Sequence, residues 1–304
     1  MKHVGFIGLG QMGKWMAGNI ARHPFNLCVY DIDASAVDRL VEQGAKPAGS
    51  PSEVAAQADV ILLSLPNAGV ADDILHGEKG VVQAARPGMI LVDCGTSGYL
   101  WTRKTAAVLA GQGILMLDAP VTGLEQKARE AALTIMVGGT EDVFEQVKPV
   151  LQTVGETIIY MGKIGCGQLA KMINNIIYNA NMATLAEILP TAVKLGLAPE
   201  NIADVVNTGS GRSFASEFFI EKILADRFTD TYSLGNAYKD MRHMDEAVAE
   251  LNISLPIFRA AMDTYQKALG AGLGGEDKGS MIKVFEKEMG VLFRKGVFRK
   301  PDDL

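Results

Sequence analysis

Short apolar runs rich in β-branched residues recur at 3–7, 27–30, 59–65, 89–93 and 114–118, and helical patterns fall between them near 12–22, 34–44, 51–57 and 101–112. Strand, helix, strand at this spacing predicts a parallel sheet with helices on both faces. Val60-Ile61-Leu62-Leu63-Ser64-Leu65 is almost continuously apolar, as a strand buried on both faces should be. Two more strands are expected at 132–138 and 157–161.

After about residue 163 the alternation stops. Helical periodicity takes over at 166–195, 199–208, 214–225, 235–251, 255–270 and 279–289. The stretch from Gln168 to Leu195 is long for a globular helix, and Pro190 is expected to kink it or close it early. The pattern predicts two domains: a doubly wound α/β domain over 1–163 and an all-α domain over 164–304, joined by a long helix. The charged tail from Arg294 to Leu304 is expected to be loose.

Composition narrows the function. Of 304 residues, 48% are hydrophobic and 21% charged, which is ordinary globular usage. A net charge of −6 leaves no basic footprint for nucleic acid. No apolar run approaches the roughly 20 residues that span a bilayer, so no membrane association is expected. Met1-Lys2-His3 runs straight into the first strand with no small-residue cleavage site, so no secretory leader is expected. Cys28, Cys94 and Cys166 lie far apart, which argues against zinc and disulfides and fits a reducing cytoplasm.

One motif carries a mechanism. Gly8-Leu9-Gly10-Gln11-Met12-Gly13 is GxGxxG, a weak signal alone. Here it follows an apolar strand, opens an amphipathic helix and precedes a second strand that ends in Val29-Tyr30-Asp31. That is the full dinucleotide arrangement. Gly8 permits the sharp turn, Gly10 lets backbone approach a pyrophosphate, and Gly13 lets the helix pack closely on the strand. The helix N-terminus offers N–H groups to phosphate. Asp31 would accept from ribose hydroxyls and repel a 2′-phosphate, and no arginine follows within the next few residues, so NAD is favoured over NADP.

Chemistry beyond the cofactor is less distinct. His3, His23, His76 and His243 lie outside glycine-rich or strand-end contexts and read as surface or packing residues. Lys171 follows Gly165-Cys166-Gly167-Gln168, and Asn175 falls four residues on, on the same helix face. A partly desolvated lysine loses pKa and can exchange protons near neutrality. Most helix lysines are simply solvated, and spacing alone leaves both readings open. Asp118-Ala119-Pro120-Val121-Thr122-Gly123 leaves a strand end, where the Thr122 hydroxyl and backbone N–H groups could bind a carboxylate, or the segment is only a turn. Lys239-Asp240 could equally be the charged face of a helix.

Taken together, these segments resemble the β-hydroxyacid dehydrogenase family, which includes 3-hydroxyisobutyrate dehydrogenase and tartronate semialdehyde reductase. Gly5 to Gly13 is similar to its cofactor loop, Asp118 to Gly123 to its substrate-binding DxPVSGG segment, Gly165 to Asn175 to its catalytic GxGxxxKxxxN segment, and Tyr238-Lys239-Asp240-Met241 to its KDL segment. Gly209-Ser210-Gly211-Arg212-Ser213 matches, less specifically, a family segment near the active site. The resemblance covers nearly the whole chain. It implies a Rossmann-like N-terminal domain, a helical C-terminal domain, and a homodimer or homotetramer.

It further implies an NAD-dependent oxidoreductase acting on a small carboxylate-bearing 3-hydroxy acid and its semialdehyde, with no metal. Lys171 would be the general acid/base and Asn175 would orient substrate. Thr122 and Gly123 would bind the substrate carboxylate, and Asp240 would sit beside the cleft as a further substrate-binding residue. Gly8, Leu9, Gly10, Gln11, Met12 and Gly13 would cradle the cofactor with Asp31. Thr96 and Lys239 would contact cofactor or substrate near the nicotinamide, and Leu65 and Pro66 would line the cofactor groove. The sequence departs from the pattern at Thr122 (usually serine), at Leu124 (usually a second glycine) and at Gly95 (usually serine). The larger side chain at 124 is expected to reshape the acid pocket. Rival readings are a tartronate, succinate semialdehyde or glyoxylate-type reductase, an imine reductase of the same fold, and a non-catalytic dinucleotide-binding module. Degenerate modules tend to lose the lysine that is present here.

Overall fold

The computed structural model describes residues 2–229, 232–249 and 252–297. The chain divides into two compact units, Met1–Lys171 and Met172–Leu304. In the first, the order is β1 (His3–Ile7), α1 (Gly13–Ala21), β2 (Asn26–Tyr30), α2 (Ala34–Val41), β3 (Lys46–Pro47), α3 (Pro51–Gln57), β4 (Val60–Leu63), α4 (Ala68–His76), β5 (Ile90–Asp93), α5 (Tyr99–Ala110), β6 (Leu115–Asp118), β7 (Val121–Thr122), α6 (Leu124–Arg129), β8 (Leu133–Gly138), α7 (Glu141–Leu151) and β9 (Gly155–Gly162).

The strands make one sheet in the order β3-β2-β1-β4-β5-β6-β8-β7, with β9 also paired to β8. From β3 to β6 every pairing is parallel. Alternate residues serve opposite cores. Val4, Phe6, Val60 and Leu62 pack with Met16 and Ile20 of α1 on one face, while Ile7, Ile61 and Leu63 pack with Val54, Leu75 and Leu109 on the other. Both faces are covered, which is why these strands read as continuous apolar runs.

The sheet is not wholly parallel. β8 runs antiparallel to β6 and β7. No long crossover helix joins β6 to β8. The chain instead passes through the two-residue β7 and the one-and-a-half turns of α6, which returns it in the opposite sense. Hydrophobic pattern does not report strand direction, so the sequence could not show this.

Three helices lie outside the expected set: α4, α6 and α7. α4 is capped by Asn67, whose side chain accepts from the Val70 N–H at 2.9 Å. α7 buries Val143, Phe144, Val147, Val150 and Leu151. Their spacing is helical and was legible.

The second unit is helical. α8 (Cys166–Lys194) begins in the first unit, and α9 (Pro199–Thr208), α10 (Phe214–Leu224), α11 (Leu234–Ala249), α12 (Pro256–Gly270) and α13 (Ile282–Met289) follow. A 3₁₀ turn at Lys278–Met281 leads into α13. Met182, Ala186, Leu189, Phe219, Ile220, Ile223, Tyr265, Met281 and Ile282 form its buried interior. Pro190 does not close α8 early, because the helix runs on to Lys194. The positions 250–251 expected at the end of α11 lie outside the described residues. Among the described residues no helix is long and apolar enough to cross a membrane.

The expectation of a loose tail fails for its first residues. Arg294 is buried, with its guanidinium 2.6 Å from Glu286 Oε1 and 2.7 Å from Asp226 Oδ1. A charge this deep persists only when paired. Residues 298–304 of the tail lie outside the described residues.

Candidate functional site

The turn after β1 is shaped by its glycines. Gly8 has φ +95°, and a Cβ there would collide with the Ser64 carbonyl at the end of β4. A Cβ on Gly13 would collide with the Gly8 carbonyl. A Cβ on Gly10 would meet nothing within 4 Å, so the backbone at the middle glycine faces open space. α1 starts immediately beyond, with no side-chain cap and no acidic residue in its first turn. The Lys14 and Trp15 N–H groups donate to the Gly10 and Met12 carbonyls, both at 3.2 Å, and the positive end of the helix, with no acidic side chain against it, faces the glycine turn where an anion would sit. Leu9 is buried beneath the turn, Met12 is half-buried and Gln11 is exposed.

Asp31 closes the turn from the end of β2. Its carboxylate accepts from the Leu9 N–H at 2.5 Å and the Asp33 N–H at 2.8 Å. Ile32 beside it is 91% exposed. An acid at the turn, an open glycine and an uncapped helix start together fit the ribose and pyrophosphate of a dinucleotide.

Glu125, which sequence reasoning did not single out, joins this turn to the next segment. One carboxylate oxygen lies 2.8 Å from Lys14 Nζ and accepts from Trp15 Nε1 at 2.7 Å, and the other accepts from Gln11 Nε2 at 3.2 Å. Lys14 first, then Trp15, holds the Glu125 carboxyl down at about 2. Its only sequence signal was an acid at the start of a short helix.

Thr122 ends β7, half-buried and in register with Thr134 of β8. Gly123 has φ +139°, and a Cβ there would press on Lys127 and Leu133. Leu124 has φ +60°, in the left-handed region that disfavours a branched side chain by about 1–2 kcal/mol. It is 38% exposed, so it does not merely pack inside the protein. The glycine expected at 124 is therefore a conformational requirement, which leucine meets at a cost. Leu124→Gly is expected to keep or slightly raise the melting temperature, since relief of strain offsets the added chain entropy of glycine, while changing the ranking of substrates by kcat/KM. Thermal melts and a substrate panel check this. A fall of several degrees with an unchanged ranking would sink it.

At the sheet's carboxyl edge, Leu65 is half-buried and Pro66 exposed just after β4, and Thr96 is half-buried in the loop after β5. Asp93 and Asp118 end β5 and β6 in register. Both are buried, and burial raises both carboxyls, that of Asp93 to about 6 against hydrogen bonds from Ser97 and the Gly95 N–H. Lys171 is half-buried early in α8.

In the second unit, Asn175 Nδ2 donates to Asp240 Oδ2 at 3.0 Å. Asp240 is buried on α11, and Lys239 Nζ lies 3.5 Å from its other oxygen. The Tyr232 hydroxyl also donates to Asp240, at 3.4 Å. Burial first, and then Asp240, pushes the Tyr232 phenol up. Asn175, Lys239 and Asp240 therefore form one polar cluster. Tyr232 joins it without a sequence signal, since nothing in the spacing marks it. Ser213 of the weaker motif is the N-cap of α10, in a reciprocal pair with Ser216. Arg212 is exposed and lies 3.6 Å from Glu217.

Comparison with known proteins adds independent findings. Residues 3–162 match the family described as the NAD binding domain of 6-phosphogluconate dehydrogenase. Residues 165–285 match the NAD-binding domain of NADP-dependent 3-hydroxyisobutyrate dehydrogenase. The chain is 39% identical to 2-(hydroxymethyl)glutarate dehydrogenase of Eubacterium barkeri, across 96% of this chain and 98% of that protein. It is 31% identical to 3-sulfolactaldehyde reductase of Escherichia coli (strain K12), across 93% of this chain and 95% of that protein. Its fold is similar to the crystal structure of 3-hydroxyisobutyrate dehydrogenase from Salmonella typhimurium, with a TM-score of 0.85 and 28% identity over 94% of this chain and 100% of that one.

Proposed function

The chain belongs to the β-hydroxyacid dehydrogenase family of NAD(P)-dependent oxidoreductases, and from that premise we propose that it interconverts a small 3-hydroxy acid and the matching semialdehyde, with NAD preferred. The observation that carries this reading is Lys171 four residues before Asn175 on α8, with Asn175 itself held by the buried Asp240. A lone solvated lysine needs no such oriented amide on the next turn.

In this reading Gly8 to Gly13 and the start of α1 hold a pyrophosphate, and Asp31 accepts from the ribose. Leu65 and Pro66 line the groove. Bound NAD would supply the nicotinamide carbon that accepts hydride. Thr122 and Gly123 hold the substrate carboxylate, and Thr96 and Lys239 contact the ligands near the reacting centre. Asn175 orients the substrate oxygen, and Asp240 fixes the amide of Asn175. Lys171 takes the alcohol proton in oxidation and returns it in reduction. Charge developing on that oxygen is met by a placed ammonium, which is how general acid–base catalysis lowers such a barrier.

A panel tests this. The purified protein is assayed with NAD against 3-hydroxyisobutyrate, 2-(hydroxymethyl)glutarate and related 3-hydroxy acids, and with NADH against their semialdehydes and 3-sulfolactaldehyde, following NADH absorbance. The expected result is turnover of at least one pair. Turnover of cyclic imines with none of any hydroxy acid or semialdehyde would reject it.

A further inference from the structure

Two buried acids and one buried amide meet where α8 begins. Asp118 Oδ1 accepts from the Gly165 N–H at 2.7 Å, and its Oδ2 accepts from the Gln168 N–H at 2.8 Å. The first turn of a 29-residue helix is thus capped by a carboxylate from β6, distant in sequence. A Cβ on Gly138 or Gly167 would press into that carboxylate, so glycine at both positions keeps the place open.

The Gln168 side chain reaches the next strand. Its Nε2 donates to the Gly95 carbonyl at 2.9 Å and lies 3.5 Å from Asp93 Oδ2, while its Oε1 accepts from the Gly98 N–H at 3.4 Å. One side chain therefore ties the helix start to the loop that carries Thr96. Lys171 follows three residues later, on the same side of the helix.

We infer that Gln168 is a positioning residue for Lys171: its amide, bonded to the loop after β5, acts with the Asp118 cap to fix the rotation of the first turn of α8 and so the direction in which the lysine projects. The inference rests on the reading of Lys171 as general acid/base. A helix turns about 100° per residue, so slippage of an unpinned first turn swings every side chain above it. A displacement of about 1 Å at a reacting group can cost about 10²-fold in rate. The amide suits the place. It is neutral beside Asp93, it donates to the Gly95 carbonyl and it accepts from the Gly98 N–H. An apolar residue of equal bulk would fill the space but leave the Gly95 carbonyl and the Gly98 N–H without this partner.

Gln168→Met keeps the bulk and removes the amide. In the full-length protein it is expected to lower kcat about 10–100-fold and leave NADH affinity within about threefold. The same change made in Lys171→Met is expected to cost less than about threefold, because the amine through which it acts is gone. Equal losses in both backgrounds, or an unchanged kcat in the single variant, would overturn the inference. Retained activity in Lys171→Met alone would instead reject the role of the lysine, a separate failure. Gln168→Glu covers poor folding of the methionine variant. Its carboxyl faces Asp93 on β5, with the Cys94 thiol beside Asp93 and the Asp118 carboxylate on the backbone N–H of the same residue, and it regains an O–H donor for Gly95 as pH falls. The ratio of wild-type to variant kcat should shrink at least about fivefold from about pH 8 to about pH 6, with desolvation and the two acids raising the titration into that range. A ratio independent of pH would overturn the inference.

Discussion

Lys171→Met is expected to lower turnover about 10²–10⁴-fold, the usual contribution of general acid–base catalysis, while NADH still binds. Methionine is close to lysine in length and keeps the apolar stem that a half-buried position needs. In the proposed role the change removes the group that passes a proton to the alkoxide. Lys171 lies outside the glycine turn, on a different element from Asp31, so NADH affinity should change less than about threefold. Steady-state kinetics with the best substrate of the panel, with NADH titration by fluorescence, checks both halves. Activity within threefold of wild type removes Lys171 from its role.

Exchanging Asp31 for serine and Ile32 for arginine should move the ratio of kcat/KM for NAD over NADP by about 10²-fold toward NADP. At this partly exposed turn solvent and salt screen the relief of like-charge repulsion to about 1 kcal/mol, a charge-assisted hydrogen bond gains about 1.5–3 kcal/mol, and each 1.4 kcal/mol is about tenfold. Ile32 is almost fully exposed, so arginine there displaces no core contact. Asp31 also accepts from Leu9 and Asp33, and serine cannot satisfy both. The double variant should therefore lose efficiency with either cofactor even as its preference shifts. A wild-type enzyme that works better with NADP would show that the role given to Asp31 is wrong.

Much of the fold was legible because burial writes itself into the chain. Both cores take alternate residues of β1 and β4, and those residues are the apolar runs that marked the strands. The long helix was legible from its periodicity despite Pro190. The antiparallel β8 was not, since buried strands read alike in either direction. The glycine turn and Asp31 could be found because their spacing is fixed by local backbone geometry. Glu125 and Gln168 could not, because each acts through a partner far along the chain, and Tyr232 could not, because nothing in the spacing marks its approach to Asp240 eight residues on. Gln168 and Asp93 are separated by 75 residues, and Gln11 and Glu125 by 114. Leu124 lies between these cases. Its departure from a glycine pattern was visible, but only the positive φ shows that the cost falls on the backbone.

The family match stops at residue 285, but the fold does not. Just past that point Glu286 receives the Arg294 guanidinium and the Phe293 N–H, and Phe293 is fully buried. The Lys295 N–H then donates to the Leu224 carbonyl, and the Gly296 N–H to Glu200. Residues 291–297 thus strap the last helix to the ends of two earlier ones. A graft, fusion or minimal fragment cut at the edge of recognisable homology would leave an open seat in the interior and strand Asp226 without its guanidinium. For this chain the portable unit extends at least to Gly296.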